Sequence, residues 1–259
     1  MIGMNSPVSK AKWVLETYSV TEIPAMALEL IAKNEGIMYR FIDFPDDAWL
    51  AGMLLYRDQK RKIIINTHIN NTGRINFTFA HELGHHFLTH PPSLYTDGQS
   101  GFRCTHDDIK EGCKLPEIEA NQFAVELLLP EDRFRLDMAG SPIDFELIRN
   151  LANTYMVSKH ACSNRLLSLI QAPCIIIRSK GIQIVGFATS QAARGYLRKL
   201  NTIPTDTTAY KTISEYRWHE NFKACDSSTW LSRAIPGETV YEHTRIHRES
   251  DSSMTIIKW

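Results

Sequence analysis

The sequence lacks any long apolar run, since no stretch approaches the roughly 18 consecutive apolar residues that suggest a membrane-spanning helix. It also lacks an excess of charge, because 29 basic residues balance 29 acidic ones and the isoelectric point is near 7.1. A balanced chain has no overall positive field to attract nucleic acid or an anionic membrane. We therefore expect no membrane-spanning segment and no direct binding of nucleic acid.

Signals for secretion are missing as well. The first residues contain neither the apolar core nor the small-residue cleavage site of a signal peptide. Cysteines number only five, and no C-x-x-C pair occurs. This usage predicts a cytoplasmic protein with reduced, incidental thiols. The alternative is a small metal site of Cys104, His106 and Cys113, although their spacing lacks a fourth ligand and matches no structural zinc pattern.

The chain up to about residue 170 predicts helices interrupted by a few short strands. Apolar residues at helical spacing predict helices over 9–18, 24–35, 72–88, 116–129, 131–138, 143–154 and 158–170. Between the second and third of these, the segments IMYRFIDF, GMLLYRD and KIIIN predict three strands. About 26 residues from Pro91 onward have little periodicity, so we expect a long irregular segment there, which is usually functional or disordered.

After Pro173 the pattern changes. The segments CIIIRS, IQIVGFAT, TVYEHTRI and SMTIIKW predict strands, and the helical signal is confined to about residues 190–200. The core of this part is expected to include Trp218, Trp230 and Trp259. The sequence therefore predicts an α+β protein in two parts. Residues 1–172 combine helices with a small N-terminal sheet, and residues 173–259 form a smaller, mainly β module.

The segment FAHELGHH carries the strongest chemical signal. It contains H-E-x-x-H at His81, Glu82 and His85. Residues four apart share one face of a helix, so both imidazoles can point at one ion. Glu82 lies one step round the helix, where its carboxylate can face a water held by the metal, as in the helix of zinc metalloproteases. A histidine-rich amphipathic helix with surface histidines is the simpler alternative.

A zinc site of this kind needs a third protein ligand and leaves one position to water. We expect that ligand to be Glu119, on the helix predicted over 116–129, because a charge among apolar neighbours such as Phe123 is costly unless it pairs or binds a metal. Glu117 lies about 200° further round the helix and is expected to face away. Glu126 is nearly in line with Glu119 and is a weaker candidate.

Together these two segments resemble the ImmA/IrrE family of metallopeptidases. The family pattern is R-x-x-F-T-x-A-H-E-L-G-H, followed by E-x-x-A-N-x-F-A-x-x-L-L-M-P. The matching residues are Arg74, Phe77, Thr78, Ala80 and His81 to His85 in the first segment, and Glu119, Ala120, Asn121, Phe123, Ala124, Leu127, Leu128 and Pro130 in the second. Leu129 replaces the usual Met, a swap of similar volume. A later helix, MVSKHACSNRLLSL, is similar to the family's V-S-x-x-A-x-x-x-R-L, so the resemblance covers about residues 20–170.

The resemblance implies a zincin-like, gluzincin-type domain over residues 1–172. It implies one Zn2+ ion, with Mn2+ as the alternative, bound by His81, His85 and Glu119, and it makes Glu82 the general base. It also implies an endopeptidase that cleaves a protein substrate, namely a repressor with a helix-turn-helix, and thereby relieves repression of transcription after stress. In some family members the part that corresponds to residues 173–259 resembles a GAF-like sensor, so this module is expected to be sensory or to bind a partner.

Further residues are candidates for auxiliary roles. The possible oxyanion donors are Tyr95, His106, Tyr155 and His160, each of which is more simply a packing aromatic or an exposed histidine. His86 and His90 are expected to lie around the ligands or on the surface, since a site of this type closes with three protein ligands. Arg165 is expected to form a buried ion pair, because the family pattern includes it, and a charge on the helix surface is the alternative.

Two alternatives to the enzyme remain. The first is a non-catalytic regulator or partner-binding protein with a structural metal site. The presence of Glu82 argues against a purely structural site, because no metal needs that residue as a ligand. The second is direct DNA binding through residues 131–170, whose basic residues are few and interleaved with acids. We also predict that the acidic stretch 107–119 flanks the cleft and attracts a basic segment of the substrate. The sequence does not predict an oligomeric state.

Overall fold

The computed structural model describes residues 6–47, 49–57, 60–68, 71–94, 100–105, 115–216 and 219–259. The chain forms two compact units, the first made of Met1–Ser141 and Arg149–Cys162 and the second of Pro142–Ile148 and Ser163–Trp259. The division after residue 172 stays a prediction. In the part of the chain that the structure describes, no helix combines the length and the apolar character needed to cross a membrane.

The first unit combines helices with short strands. In chain order its elements are α1 (Pro7–Thr17), α2 (Leu28–Asn34), β1 (Ile37–Ile42), β2 (Leu50–Arg57), β3 (Lys60–Asn66), α3 (Thr72–Phe87), β4 (Ser93–Leu94), β5 (Ser100–Thr105), α4 (Leu115–Leu128) and α5 (Glu131–Met138), and α6 (Phe145–Thr154) and α7 (Lys159–Leu169) follow along the chain. Asn71 caps α3, because its side chain accepts a hydrogen bond from the backbone N–H of Arg74. This cap fixes where the histidine-bearing helix begins.

The strands of the first unit form a five-stranded sheet in the order β1-β3-β2-β5-β4. β1 runs parallel to β3, and the other neighbours are antiparallel. Ile63 of β3 lies opposite Tyr39 of β1 and Leu54 of β2. Ile63, Ile65 and Leu54 are buried, which suits β-branched and aliphatic residues on interior strands.

Helices α3 and α4 approach each other closely. A Cβ at Gly84 would lie 3.1 Å from Cα of Ala120 and 3.2 Å from its backbone oxygen. The helices therefore meet where α3 carries no side chain. One turn further on, the rings of Phe87 and Phe123 stack with their centroids 5.7 Å apart. These contacts determine which face of α4 points towards the histidines of α3.

The second unit is built on an antiparallel sheet. Its elements are β6 (Cys174–Lys180), β7 (Gln183–Thr189), α8 (Thr208–Ser214), β8 (Lys223–Asp226), α9 (Ser227–Trp230), β9 (Thr239–His247) and β10 (Ser252–Lys258). The strand order is β7-β6-β10-β9-β8. Trp230 is fully buried, and its Nε1 donates to Oε2 of Glu242 at 2.6 Å. Trp259 packs against the same core, as predicted, whereas Trp218 lies outside the described residues.

The predicted α+β class is confirmed, including the small N-terminal sheet and the mainly β second unit. Two local predictions are wrong. The segment after Pro91 contains β4 and β5, and the helical signal near residues 190–200 corresponds only to a 3-10 turn at Gln191–Ala193. β5 escapes a periodicity argument because it is short and contains Ser and Gly, so its strand conformation depends on pairing with β2.

Candidate metal centre

Two histidines of α3 meet at one point. His81 and His85 are fully buried, and their Nε2 atoms lie 3.0 Å apart, as residues four apart on one helical face should. The ring of Phe102 on β5 stacks on His85, with 4.1 Å between centroids and 14° between planes. The helix and this stacking contact together hold both imidazoles in place.

Two residues from other elements join the histidines. Cys104 of β5 is fully buried, and its Sγ lies 3.3 Å from Nε2 of His81 and 3.6 Å from Nε2 of His85. Glu117, in the first turn of α4, places Oε2 at 3.1 Å and 3.5 Å from the same two nitrogens. We call His81, His85, Cys104 and Glu117 the four-residue cluster. Its ligand atoms all lie within 4.8 Å of one another.

The spacing in the four-residue cluster fits a tetrahedral metal site. Two atoms that each lie about 2.0 Å from a zinc ion are about 3.3 Å apart in a tetrahedron, and a sulfur about 2.3 Å from the ion lies about 3.5 Å from either. The observed distances run from 3.0 Å between the two nitrogens to 3.7 Å between Sγ of Cys104 and Oε2 of Glu117. Imidazole, thiolate and carboxylate are all metal ligands in proteins. The residues present therefore fit a bound metal ion.

The outer nitrogen of each histidine is held by a partner. Nδ1 of His81 lies 3.0 Å from Oδ1 of Asn121, an oxygen that only accepts, so His81 carries its proton on Nδ1. Nδ1 of His85 lies 2.9 Å from Nδ1 of His90, and Nε2 of His90 lies 3.1 Å from Oε2 of Glu119. Because the Glu119 carboxylate only accepts, His90 donates through Nε2 and accepts from His85 through Nδ1. The Nε2 lone pairs of His81 and His85 therefore both point into the space between the ligand atoms of the four-residue cluster.

The electrostatics of the cluster favour a cation. Burial lowers the pKa of His85 to about 4, so its imidazole is neutral at neutral pH, which is the form that binds metals. Burial raises the pKa of Glu117, but its contacts with His81 and His85 outweigh burial and hold that pKa below its usual range. Two lone pairs and a carboxylate therefore converge on one point, an arrangement that a positive ion stabilises.

Glu82 lies beside the cluster and is fully buried. Neither of its carboxylate oxygens has a hydrogen-bond partner among the described residues. Burial raises the pKa of Glu82 well above its usual range, the nearby Cys104 thiol partly opposes this, and the charge of Glu117 adds to it. Strand β2 leaves room for the carboxylate, because a Cβ at Gly52 would lie 3.2 Å from Oε1 of Glu82. The site therefore contains a basic carboxylate without a fixed partner.

The structure brings together three of the four residues named from the sequence, His81, Glu82 and His85, and places the fourth, Glu119, against His90. Glu119 as a metal ligand stays a prediction. The geometry favours a different carboxylate for that position.

That carboxylate is Glu117, and the expectation that it faces away from the histidines is wrong. Glu117 precedes Ala120 by one helical turn and shares its face of α4, which is the face that meets Gly84. In the family pattern the glutamate likewise stands three residues before the alanine, so that glutamate aligns with Glu117, and the match to Glu119 given in the sequence analysis is wrong by two positions. Glu126 is buried, and its Oε1 accepts a hydrogen bond from the backbone N–H of Glu131 at the start of α5.

In the alternative considered from the sequence, Cys104 binds a metal together with His106 and Cys113 and not with the histidines of α3. Those partners, His106 and Cys113, lie outside the described residues. No spacing pattern relates Cys104 to the H-E-x-x-H segment. It reaches α3 only because β5 pairs with β2, with Cys104 opposite Gly52.

The remaining candidates have other contacts or lie elsewhere. The hydroxyl of Tyr155 donates to Oδ2 of Asp137 at 2.6 Å, and Nε2 of His86 lies 2.9 Å from Oε2 of Glu35. His160 and Arg165 lie on α7. Tyr95, His106 and residues 107–114 of the acidic stretch lie outside the described residues.

Known proteins share parts of this sequence and fold. Residues 32–167 match the family model described as IrrE N-terminal-like domain. The chain is 32% identical over 119 residues to the uncharacterized immunity region protein 2 of Bacillus phage phi105, covering 40% of this chain and 67% of that protein. A transcriptional regulator from Mycobacterium tuberculosis is similar in structure with a TM-score of 0.55 at 14% identity, over 96% of this chain and 87% of that one. At that identity the likeness concerns the fold alone.

Proposed function

This chain belongs to the family of peptidases with an IrrE N-terminal-like domain, as the resemblance in its sequence predicts, and from that premise we propose that it is a zinc-dependent endopeptidase. The observation that carries the proposal is the four-residue cluster with the buried Glu82 beside it. All of these residues lie inside the matched range 32–167. A cluster of ligands and an unpartnered carboxylate together are what metal-assisted hydrolysis requires.

The ligands in this proposal are Nε2 of His81, Nε2 of His85 and the carboxylate of Glu117. Glu117 is preferred to Glu119 because its Oε2 lies 3.1 Å from Nε2 of His81, whereas Glu119 contacts His90. Glu119 then acts indirectly, by holding the imidazole that orients His85. Zn2+ suits two nitrogens and an oxygen, and Mn2+ is the alternative.

A bound divalent ion would polarise the scissile carbonyl and make water more acidic. Glu82 would accept the proton of that water and return it to the amine that leaves. Its raised pKa makes it a stronger base than an exposed glutamate, and the thiol of Cys104 is the neighbour that interacts with its carboxylate. The buried surroundings keep the carboxylate close to the reacting atoms.

The substrate in this proposal is a protein, most simply a DNA-binding repressor with a helix-turn-helix. Support comes from the family and from the name of the phage relative, which is an immunity region protein. Cleavage of such a repressor would relieve repression in the cytoplasm. The second unit, with its own sheet, would sense a ligand or bind a partner.

The test compares purified wild-type protein with Glu82→Gln and His85→Ala on purified repressors encoded beside its gene. Glu82→Gln should bind one zinc ion per chain and lose cleavage, because the ligands remain and the base does not. His85→Ala should lose both zinc and cleavage. Metal content is measured by elemental analysis, and cleavage by electrophoresis and mass spectrometry of the fragments.

Full cleavage by Glu82→Gln would refute the base assignment. A wild-type protein that binds no divalent metal would refute the metal site. His86→Ala is the control, because His86 contacts Glu35 rather than the four-residue cluster, and it should keep both properties.

A second candidate function is a non-catalytic regulator with a structural metal site. One observation favours it, namely that the cluster offers four protein ligands, the number that structural zinc sites use. Under this alternative, Glu82→Gln and wild type would behave alike in every partner-binding assay, and neither would cleave a repressor.

A further inference from the structure

Cys104 is not one of the three proposed metal ligands, yet its sulfur lies beside all three of them. Its Sγ is 3.3 Å and 3.6 Å from the Nε2 atoms of His81 and His85 and 3.7 Å from Oε2 of Glu117. We propose that the Cys104 thiolate is the fourth metal ligand and that it closes the site in the resting protein. This inference rests on the proposed metal site and adds to it how access to the ion is controlled.

The distances around Cys104 fit those of a metal ligand. The 3.3 Å and 3.6 Å from Cys104 to the two nitrogens lie on either side of the roughly 3.5 Å expected between a thiolate sulfur and an imidazole nitrogen on one zinc ion. Cys104 therefore lies where a peptidase of this type needs water. A site with four protein ligands has no open position, so Cys104 must leave before water or a substrate carbonyl can bind.

The pairing of β2 with β5 also aligns Cys104 with the histidines. The register of β2 against β5 shifts between Leu50 and Gly52, and Cys104 pairs with Gly52 directly after the shift. An extra residue in one strand bends it and re-aims the side chains nearby, and such bulges are common next to functional sites. Phe102, two residues earlier on the same face of β5, stacks on His85. The strand is thus aligned on the histidines at two positions.

The other buried thiols supply a contrast. Cys162 and Cys174 are as deeply buried as Cys104, and burial raises the pKa of each to about 12. Neither belongs to the four-residue cluster. Cys174, which lies on β6 of the second unit, is therefore a matched control for the loss of a buried thiol.

The experiment uses the full chain, stripped of metal and reloaded with Co2+. Wild type should show the strong near-ultraviolet absorption of thiolate-to-cobalt charge transfer. Cys104→Ala should bind cobalt without this band, and Cys174→Ala should keep it. Zinc affinity, measured by competition with a chromophoric chelator, should fall by about tenfold or more in Cys104→Ala, because one ligand is lost.

A second readout tests closure. A hydroxamate should change the cobalt spectrum of Cys104→Ala, which has an open position, and leave that of wild type unchanged. Circular dichroism verifies that the variants fold. The cobalt charge-transfer band of wild type tests the proposal even if a variant does not fold.

One cobalt ion bound by wild type without the charge-transfer band would overturn this inference and leave the peptidase proposal intact. Unchanged zinc affinity in Cys104→Ala, or an equal response of wild type to hydroxamate, would also overturn it. Failure of wild type to bind any metal would overturn both proposals together.

Discussion

At the scale of single residues, the contacts from His85 through His90 to Glu119 orient a buried imidazole. The carboxylate fixes the tautomer of His90, and His90 in turn fixes that of His85. Nε2 of His85 is left with its lone pair towards the cluster. Partners of this kind, which hold a ligand rather than the ion, commonly change metal affinity strongly when they are removed.

His90→Ala should therefore bind zinc about 10- to 100-fold more weakly than wild type while it remains folded. The physical reason is that His85 loses the acceptor for its Nδ1 proton and can turn. Competition with a chelator measures the affinity. His86→Ala, a substitution of the same kind at a residue that contacts Glu35, should bind as wild type does. Equal weakening in both variants would speak against this role of His90.

Two neighbouring glutamates provide a direct test of the ligand set. Glu117→Gln should lose most zinc binding, because it removes the charge that lies 3.1 Å from Nε2 of His81. Glu119→Gln should retain one zinc ion with reduced affinity, since it weakens only the contact with His90. Metal content after gel filtration distinguishes the two. The reverse result would restore Glu119 as the ligand.

At the scale of elements, α4 carries apolar residues on its exposed side as well as on its buried side, since Leu115 and Ile118 are exposed. Its buried residues are Ala120, Phe123, Ala124, Glu126, Leu127 and Leu128. A helix with so little amphipathic pattern does not reveal which face meets its neighbour. The close contact with α3 decides this and points Glu117, rather than Glu119, at the histidines.

Gly84→Ala should weaken zinc binding more than it changes stability. The new Cβ would lie 3.1 Å from Cα of Ala120, so α3 and α4 must separate by a few tenths of an ångström. The strain of about 1–3 kcal/mol is partly offset by about 1 kcal/mol from the better helix propensity of alanine. The shift moves Glu117 away from His81 and His85. Urea unfolding and chelator competition measure the two effects, and unchanged affinity would contradict this account.

Gly52→Ala should slow cleavage without weakening zinc binding. Its Cβ would lie 2.6 Å from Cγ2 of Thr78 and 3.2 Å from Oε1 of Glu82, so the carboxylate is displaced while the α3–α4 contact is untouched. We expect retained zinc binding with a reduced rate of repressor cleavage, measured at saturating zinc. Loss of zinc in this variant would show that β2 supports the ligands themselves.

At the scale of the whole molecule, metal binding and folding are coupled. All members of the four-residue cluster lie in the first unit, and they come from α3, β5 and α4, so they meet only in the folded state. Free zinc at about 1,000 times its dissociation constant should therefore stabilise this unit by about 4 kcal/mol. Thermal unfolding with zinc or with a chelator measures the shift. His85→Ala should show almost none, and an equal shift in that variant would indicate zinc bound elsewhere.

Much of the fold follows from local patterns. Apolar spacing predicts α3 and α4 nearly to the residue, and the β-branched run at Ile63 to Ile65 predicts β3. β5 is not predictable in this way, because only pairing with β2 makes it a strand. Among the site residues, Glu82 is placed by its own helix, whereas Cys104 depends on that pairing.

The sequence by itself determined that His81 and His85 share one helical face, because they lie four positions apart on one helix. It also determined the family, since the two matching segments are continuous. Only the tertiary structure decided between Glu117 and Glu119 and brought Cys104 to the histidines. Both outcomes depend on how α4 and β5 pack against elements distant in the chain, and helical phase and strand pairing become definite only when those partners are in contact.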